Sequence, residues 1–174
     1  MAMRTILNEN DPTLRKKSRS VEKFDTRLHQ LIDDMRETLI EAEGAGLAAP
    51  QVGVLRRVVL VESGEELLEL VNPEIVWSEG SDEGLEGCLS SPGEYGIVPR
   101  PLKARVRAQN RHGVFFEAEG EGIVARCFCH EIDHLNGVLF KDLALRMVDP
   151  EELLDDVTEA SAPSGRESEP EGLL

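Results

Sequence analysis

The chain has 174 residues, 40% of them hydrophobic and 30% charged, which predicts one compact domain with a core of its own. The formal net charge of −15 argues against nucleic-acid binding, because contacts to phosphates need clustered Lys and Arg. No apolar run approaches the roughly 20 residues that span a bilayer, and residues 1–20 lack the apolar stretch of a secretory signal. We therefore expect a cytoplasmic monomer that binds neither nucleic acid nor membrane.

The clearest helical pattern covers residues 26–43, where apolar side chains recur at helical spacing. These side chains, which we assign to core packing, are Leu28, Leu31, Ile32, Met35, Leu39 and Ile40. Asp25 is the predicted N-cap of this helix. Gly44 and Gly46 are predicted to end it.

Short strands follow the glycines. Residues 58–61 and 68–71 are apolar and flank Gly64, which predicts a hairpin. Residues 104–108 and 114–118 form a second pair of predicted strands around a turn.

A second helix is predicted over residues 122–135, ending at Asn136 and Gly137. Its predicted buried side carries Ile123, Val124, Cys127, Phe128 and Ile132. These elements predict an α+β fold, with small antiparallel or mixed sheets around a central helix and an amphipathic helix near the N-terminus. We expect one domain over residues 1–159 and an acidic, disordered tail over 160–174, where Ser, Pro, Gly and Glu dominate.

The predicted second helix contains an H-E-x-x-H pattern formed by His130, Glu131 and His134. Residues four apart lie on one face of a helix, so both histidines can bind one metal ion. Glu131 lies about 100° round the helix from His130, close enough to contact a water molecule at the metal without binding the metal itself. The alternative is a solvated helix that carries two histidines by chance.

A catalytic metal site needs a third protein ligand and an open position. No histidine follows His134, which excludes the extended form of the H-E-x-x-H protease motif. Acidic residues do follow, from Asp142 onwards. The sequence after His134 therefore does not exclude a carboxylate as the third ligand.

The three cysteines, an odd number in a chain of this size, favour metal or catalytic chemistry over a disulfide framework. Cys129 points about 100° away from His130. Cys127 lies on the correct face, but about 10 Å along the helix axis from His134. Cys88 is outside the helix, in a segment whose Gly and Pro suggest extended chain, and we favour it over Cys127 as the third ligand.

Residues 44–51, Gly-Ala-Gly-Leu-Ala-Ala-Pro-Gln, have little side-chain bulk, so a substrate backbone can lie close to them. Gln51 can direct an amide donor at a developing oxyanion. The alternative is a helix end followed by a bend.

Taken together, GAGLAAPQ at 44–51, EGCLS at 86–90 and HEIDH at 130–134 resemble the three motifs of peptide deformylases. The resemblance covers about residues 3 to 145. It implies a metal-dependent hydrolase that removes the N-terminal formyl group from N-formyl-methionyl nascent peptides and releases formate.

The resemblance implies that Cys88, His130 and His134 bind one divalent metal ion. Fe(II) is the metal expected from the family, and Ni, Co or Zn can occupy such a site. Glu131 would act first as general base and then as general acid. The oxyanion would be held by the metal and by two further groups, the Gln51 side-chain amide and the Leu89 backbone N–H.

The resemblance also implies a substrate cleft lined by Gly46 and the segment around Gly87. Ile123 and Cys127 would form the wall of its pocket for the methionine side chain. Behind the ligands, Glu86 and Arg100 are expected to form an ion pair.

The sequence departs from the family pattern at Cys129, where glutamine is common, and in the predicted loop that holds Ser91 and residues 93–95. Two rival functions remain open: a metalloprotease that cleaves internal peptide bonds, and a closed structural zinc site with a fourth protein ligand.

Overall fold

The computed structural model describes residues 2–159 and 174, and within the last helix the side chains up to residue 154. The α-helices are α1 (Thr26–Ala42), α2 (Ile123–Leu135), α3 (Phe140–Leu143) and α4 (Pro150–Glu159). The strands are β1 (Gly46–Ala48), β2 (Val58–Ser63), β3 (Glu66–Glu79), β4 (Asp82–Cys88), β5 (Ser91–Arg100), β6 (Lys103–Gln109), β7 (Phe115–Glu121) and β8 (Arg146–Val148). Short 3₁₀ helices cover Pro12–Arg15 and Ala49–Val52. This arrangement of helices and sheets confirms the α+β class.

The strands form two antiparallel sheets, one with the order β1-β2-β3-β6-β7 and one with the order β4-β5-β8. Both predicted strand pairs are present, as β2 with β3 and β6 with β7. Helix α2 packs against the five-stranded sheet and also contacts β5 of the smaller sheet. It is therefore the element that joins the two sheets.

Strand β2 shows how the core is divided. Val58 and Leu60 belong to the apolar cluster that contains the buried face of α1, whereas Val59 and Val61 belong to the cluster that contains Phe128 of α2. Because alternate residues of a strand point to opposite faces, a strand with a helix on each side is apolar throughout.

Helix α1 begins where the sequence predicts, with the Asp25 side chain accepting a hydrogen bond from the Leu28 N–H at 3.1 Å. Its end was predicted wrongly, because the left-handed residue at the C-cap is Glu43, with φ of 55°, and not a glycine. Ile40 was also misplaced, since its side chain is 68% exposed, while the other five predicted apolar side chains are buried. Ile40 lies about 120° round the helix from the centre of the buried stripe, whereas Leu39 of the same turn lies on it and is buried.

Two further expectations need correction. The segment with Ser91, predicted as a loop, is the first half of β5, and the turn before it consists of Leu89 and Ser90. Ile123, predicted on the buried side of α2, is 45% exposed because it opens the first turn of that helix. The predicted disordered tail lies outside the described residues, apart from Leu174. No helix of the described chain is long and apolar enough to cross a membrane.

Candidate metal centre

Two elements bring three metal-binding side chains together. Cys88 ends β4, and His130 and His134 lie one turn apart on α2. All three are buried, and one ligand atom from each lies within 4.8 Å of the others. The Cys88 Sγ is 3.4 Å from the His134 Nε2. The strand register shifts between Gly87 and Cys88, and such an irregularity re-aims the side chain that follows it.

The three side chains have the properties of a metal site. The His130 Nε2 is buried and has no hydrogen-bond partner among the described residues, although buried polar atoms almost always have one. One thiolate and two imidazoles suit first-row divalent metals, and three protein ligands leave an open position for water or substrate. The described residues therefore fit a single catalytic metal ion.

Glu86 orients the His130 ring. Its Oε1 lies 2.5 Å from the His130 Nδ1. Burial raises the pKa of Glu86, but hydrogen bonds from His130 and Arg100 outweigh it and lower that pKa to about 2. Glu86 is therefore ionised, and the proton of this hydrogen bond belongs to the Nδ1. A carboxylate in this position leaves the Nε2 free for a metal.

The predicted ion pair between Glu86 and Arg100 is present, with contacts of 2.7 and 3.1 Å. Two groups that the sequence did not single out join it. Arg126 donates to the Glu86 Oε2 at 2.9 Å, and Asp133 accepts from Arg100 at 2.7 Å. Arg126 precedes His130 by four residues and therefore lies on the same face of the helix as the two histidines. This spacing is the sequence feature that could have identified it.

Glu131 is fully buried, and neither of its carboxylate oxygens has a hydrogen-bond partner among the described residues. Burial raises the pKa of Glu131 to about 7. A carboxyl group with that pKa can accept a proton and return it near neutral pH.

Gln51 is buried beside the cysteine. Its Oε1 accepts the Ala48 N–H at 2.9 Å, which fixes the orientation of the amide. Its Nε2 donates to the Ser90 Oγ at 3.1 Å and lies 3.5 Å from the Cys88 Sγ. The amide donor therefore lies beside the sulfur of Cys88.

The Leu89 N–H, predicted to stabilise an oxyanion, donates to the backbone oxygen of Leu174 at 2.8 Å. Leu174 is buried and belongs to the same apolar cluster as Cys127 and Phe128 of α2. Nothing in the sequence indicates this contact, because the two leucines are 85 residues apart.

The four predicted substrate-binding residues are not equally placed. Gly46 contacts the site closely, since a Cβ built on it would lie 2.6 Å from the Cys127 Sγ and 2.8 Å from the Glu131 Oε1. Gly87 is buried in β4 next to the cysteine ligand. Ile123 lies seven residues before His130 on α2, about two helical turns away, and its side chain is 45% exposed.

The other two cysteines lie outside the group of metal-binding side chains. The Cys127 Sγ contacts the Ala45 carbonyl oxygen at 3.6 Å, and burial raises the pKa of this thiol well above its usual value. Cys129 is only partly buried. A neutral, buried Cys127 is a small apolar side chain and not a ligand.

Comparison with known proteins agrees with this geometry. The model of the polypeptide deformylase family matches residues 3–149. A peptide deformylase from Caldicellulosiruptor bescii is 57% identical over 153 residues, which are 88% of this chain and 92% of that protein. The crystal structure of the Thermotoga maritima enzyme superposes with a TM-score of 0.81 at 40% identity, covering 84% of this chain and all of that one. A structure of the Acinetobacter baumannii enzyme with Met-Ala-Ser bound matches with a TM-score of 0.77 at 33% identity, over 82% of this chain and 98% of that one.

The similarity extends over most of the chain, and it includes the strand and the helix that hold the three metal-binding side chains. On these grounds the chain belongs to the polypeptide deformylase family.

Proposed function

We propose that this deformylase removes the formyl group from the N-terminal methionine of nascent peptides at a single metal ion bound by Cys88, His130 and His134. The observation that carries the proposal is the buried group of one thiol and two imidazoles whose ligand atoms lie within 4.8 Å of one another. The deformylase class itself follows from the family, whose members are metal-dependent.

A divalent metal bound there supplies a Lewis acid for the formyl carbonyl and lowers the pKa of water. Glu131 takes the proton from the attacking water, because both of its carboxylate oxygens are buried without a partner among the described residues and its pKa is raised to about 7. It then returns that proton to the departing amine. The unpartnered oxygens of Glu131 make it available for both steps.

The developing oxyanion is stabilised by two donors of this chain. The Gln51 Nε2 lies 3.5 Å from the Cys88 Sγ, and the Leu89 N–H follows the cysteine directly. Fixed donors directed at a developing charge contribute about 3–4 kcal/mol each to the stability of a transition state.

Fe(II) is the metal we propose, with Ni, Co or Zn able to replace it, since a thiolate and two imidazoles accept all four. The substrate begins with methionine, as does the tripeptide bound to the A. baumannii enzyme. Gly46 and Gly87 are proposed to line its cleft, and Ile123 and Cys127 to form the wall of the pocket for the methionine side chain. We further propose that residues 1–159 form one catalytic domain, which works as a monomer in the cytoplasm, where nascent peptides arise.

The test is release of formate from an N-formyl-methionyl peptide by anaerobically prepared, metal-loaded protein, with the N-acetyl peptide as control. We expect metal-dependent release from the formyl peptide alone. Cys88→Ser should weaken metal binding. Cys129→Ser should retain the metal, because Cys129 precedes His130 in the chain but is outside the ligand group. Cleavage of internal peptide bonds, or a loaded protein without formate release, would contradict the proposal.

A further inference from the structure

Arg126 is a buried cation that the catalytic steps above do not use. Its side chain is 4% exposed, yet its guanidinium makes four polar contacts. The Nη1 donates to the Glu86 Oε2 at 2.9 Å and to the Val98 carbonyl oxygen at 2.8 Å. The Nη2 donates to the carbonyl oxygen and the carboxylate of Asp82 at 3.1 and 3.3 Å. Arg126 therefore ties α2 to both β4 and β5.

The absence of a side chain at Gly84 leaves room for the Arg126 guanidinium. A Cβ built on Gly84 would lie 2.5 Å from the Arg126 Nη2. Asp82, Gly84 and Glu86 alternate along β4 and so point to one face of the strand. Arg126 lies against that face.

The helix and the strand have matching repeats at this contact. Arg126, His130 and His134 follow one another at intervals of four residues on α2, which is a rise of about 6 Å per interval. On β4, intervals of two residues rise about 6.7 Å. The contacts therefore advance along both elements together: Arg126 reaches Asp82 and the Glu86 Oε2, His130 meets the Glu86 Oε1, and His134 meets Cys88.

We propose that Arg126 is a positioning residue that sets the register between α2 and β4, and so places Cys88 at the distance from His130 and His134 that a metal ion requires. Its Nη1 also donates to the Glu86 Oε2 and so helps to fix the rotation of that carboxylate, whose other oxygen accepts the His130 Nδ1–H. The proposal rests on the metal site of the proposed function, but not on the identity of the substrate.

The test measures the rate at which Co(II)- or Zn(II)-loaded protein releases its metal to a chelator. We expect Arg126→Gln to release the metal about 10- to 100-fold faster, the usual effect of losing a group that orients a ligand. Arg126→Lys should give an intermediate rate, because an ammonium reaches Glu86 without bridging Val98 and Asp82. Arg105→Gln is the matched control, since Arg105 pairs with Glu119 on the exposed face of β6 and β7.

A merely structural role would lower the free energy of unfolding and leave metal release from the folded protein unchanged. If Arg126→Gln does not fold, Arg126→Lys decides alone, and release at the rate of the Arg105→Gln control would overturn the proposal. The effects of Arg126→Gln and Glu86→Gln should also be non-additive, because one acts through the other. An unaltered chain that binds no metal would instead contradict the proposed function.

A separate observation concerns Leu174. Its backbone oxygen accepts the Leu89 N–H at 2.8 Å, and its side chain is 2% exposed and belongs to the apolar cluster that contains Cys127. It thus presents an acceptor oxygen and an apolar side chain where the proposed substrate would present its own. Glu159 and Leu174 are 15 residues apart, a length of chain that can extend about 50 Å, so one chain can make the contact.

We infer that Leu174 binds the substrate cleft of its own chain and competes with the N-formyl peptide, an inference that rests on the proposed function. Steady-state deformylation of a short formyl-methionyl peptide tests it with Leu174→Asp. We expect KM to fall about threefold or more, because a competing ligand has been removed, while kcat stays unchanged. Val114→Asp, an equivalent change at an exposed turn, should leave KM unaltered.

An unchanged KM in Leu174→Asp would overturn this inference. A KM of the unaltered chain that rises with protein concentration would also overturn it, because the contact would then join two copies. Absence of turnover in both proteins would contradict the proposed function instead.

Discussion

Two buried glutamates on either side of His130 have opposite protonation properties. Glu86 contacts two guanidinium groups and the His130 ring, and these partners lower its pKa to about 2 although burial alone would raise it. Glu131 has no hydrogen-bond partner among the described residues, and burial raises its pKa to about 7. The environment thus gives one carboxylate a permanent charge for orienting a ligand and leaves the other able to exchange a proton.

Glu131→Gln tests the proton-transfer role, because it keeps the shape of the side chain and removes its basicity. We expect kcat to fall about 10²- to 10⁴-fold, with the metal content unchanged. Metal analysis and formate release on the same sample measure both quantities. A variant with full turnover would refute the role of Glu131.

Gly46→Ala tests how closely the chain must approach the site. The new Cβ would lie within 3 Å of both the Cys127 Sγ and the Glu131 Oε1. We expect kcat to fall by about tenfold or more, since small displacements of catalytic groups are costly. The control is Gly64→Ala in the turn between β2 and β3, where φ is 63° and nothing lies within 4 Å. That change should lower stability and spare kcat, and equal kcat losses in both variants would contradict the argument.

At the scale of the elements, the five-stranded sheet lies between α1 and α2. Each helix needs one apolar face for this packing, and the sheet needs strands that are apolar on both faces, as β2 is. The polar face of α2 does not point to solvent. It points to β4, where Glu86 and Cys88 meet the two histidines.

Asp25→Ala tests the start of α1. The Asp25 side chain accepts the Leu28 N–H, so its loss should lower the free energy of unfolding by about 0.5–2 kcal/mol. Chemical denaturation compared with Glu22→Ala, an exposed acid just before the helix, measures the effect. Equal stability of the two variants would show that the cap contributes nothing.

Across the whole molecule, the N-terminal segment connects α1 to the metal centre. The Asp34 carboxylate on α1 accepts hydrogen bonds from the Ala2 N–H at 2.9 Å and from Arg4 at 3.0 Å. Further along, the Leu7 N–H donates to the Gln51 carbonyl oxygen at 2.7 Å, and the Glu9 N–H donates to that of Ser90 at 2.9 Å. The segment therefore supports Gln51, which carries the amide donor of the site, and Ser90, which accepts a hydrogen bond from that amide.

Asp34→Asn tests this connection through its pH dependence. Burial raises the pKa of Asp34, but hydrogen bonds from Ala2, Gln30 and Arg4 outweigh it and lower that pKa. A lowered folded-state pKa stabilises the protein above the usual Asp value, and this contribution is lost as pH falls through the folded value.

The unaltered chain should therefore exceed Asp34→Asn in stability by about 1–2 kcal/mol at pH 7. The difference should shrink as the pH falls below about 4, the ordinary pKa of an aspartate. Denaturation at several pH values measures it, and a difference that grows on acidification would contradict the sign.

The sequence by itself determined the features that depend on local periodicity. The apolar spacing of residues 26–43 placed α1, and the four-residue interval between His130 and His134 placed both imidazoles on one face, because a helix repeats every 3.6 residues. The same geometry argued against Cys129 as a ligand, because it points about 100° away from His130. The ion pair of Glu86 with Arg100 followed from the family resemblance and not from spacing.

Only the tertiary structure decided the features that depend on what lies across from a residue. Ile40 lies at the edge of the helical pattern, about 100° round from Leu39, and is exposed while Leu39 of the same turn is buried. Glu43 takes the left-handed position although a glycine follows it. Arg126 and Leu174 meet Glu86 and Leu89 through contacts 40 and 85 residues apart in the chain. Such contacts join segments that are distant in the chain and leave no periodic signal in the sequence.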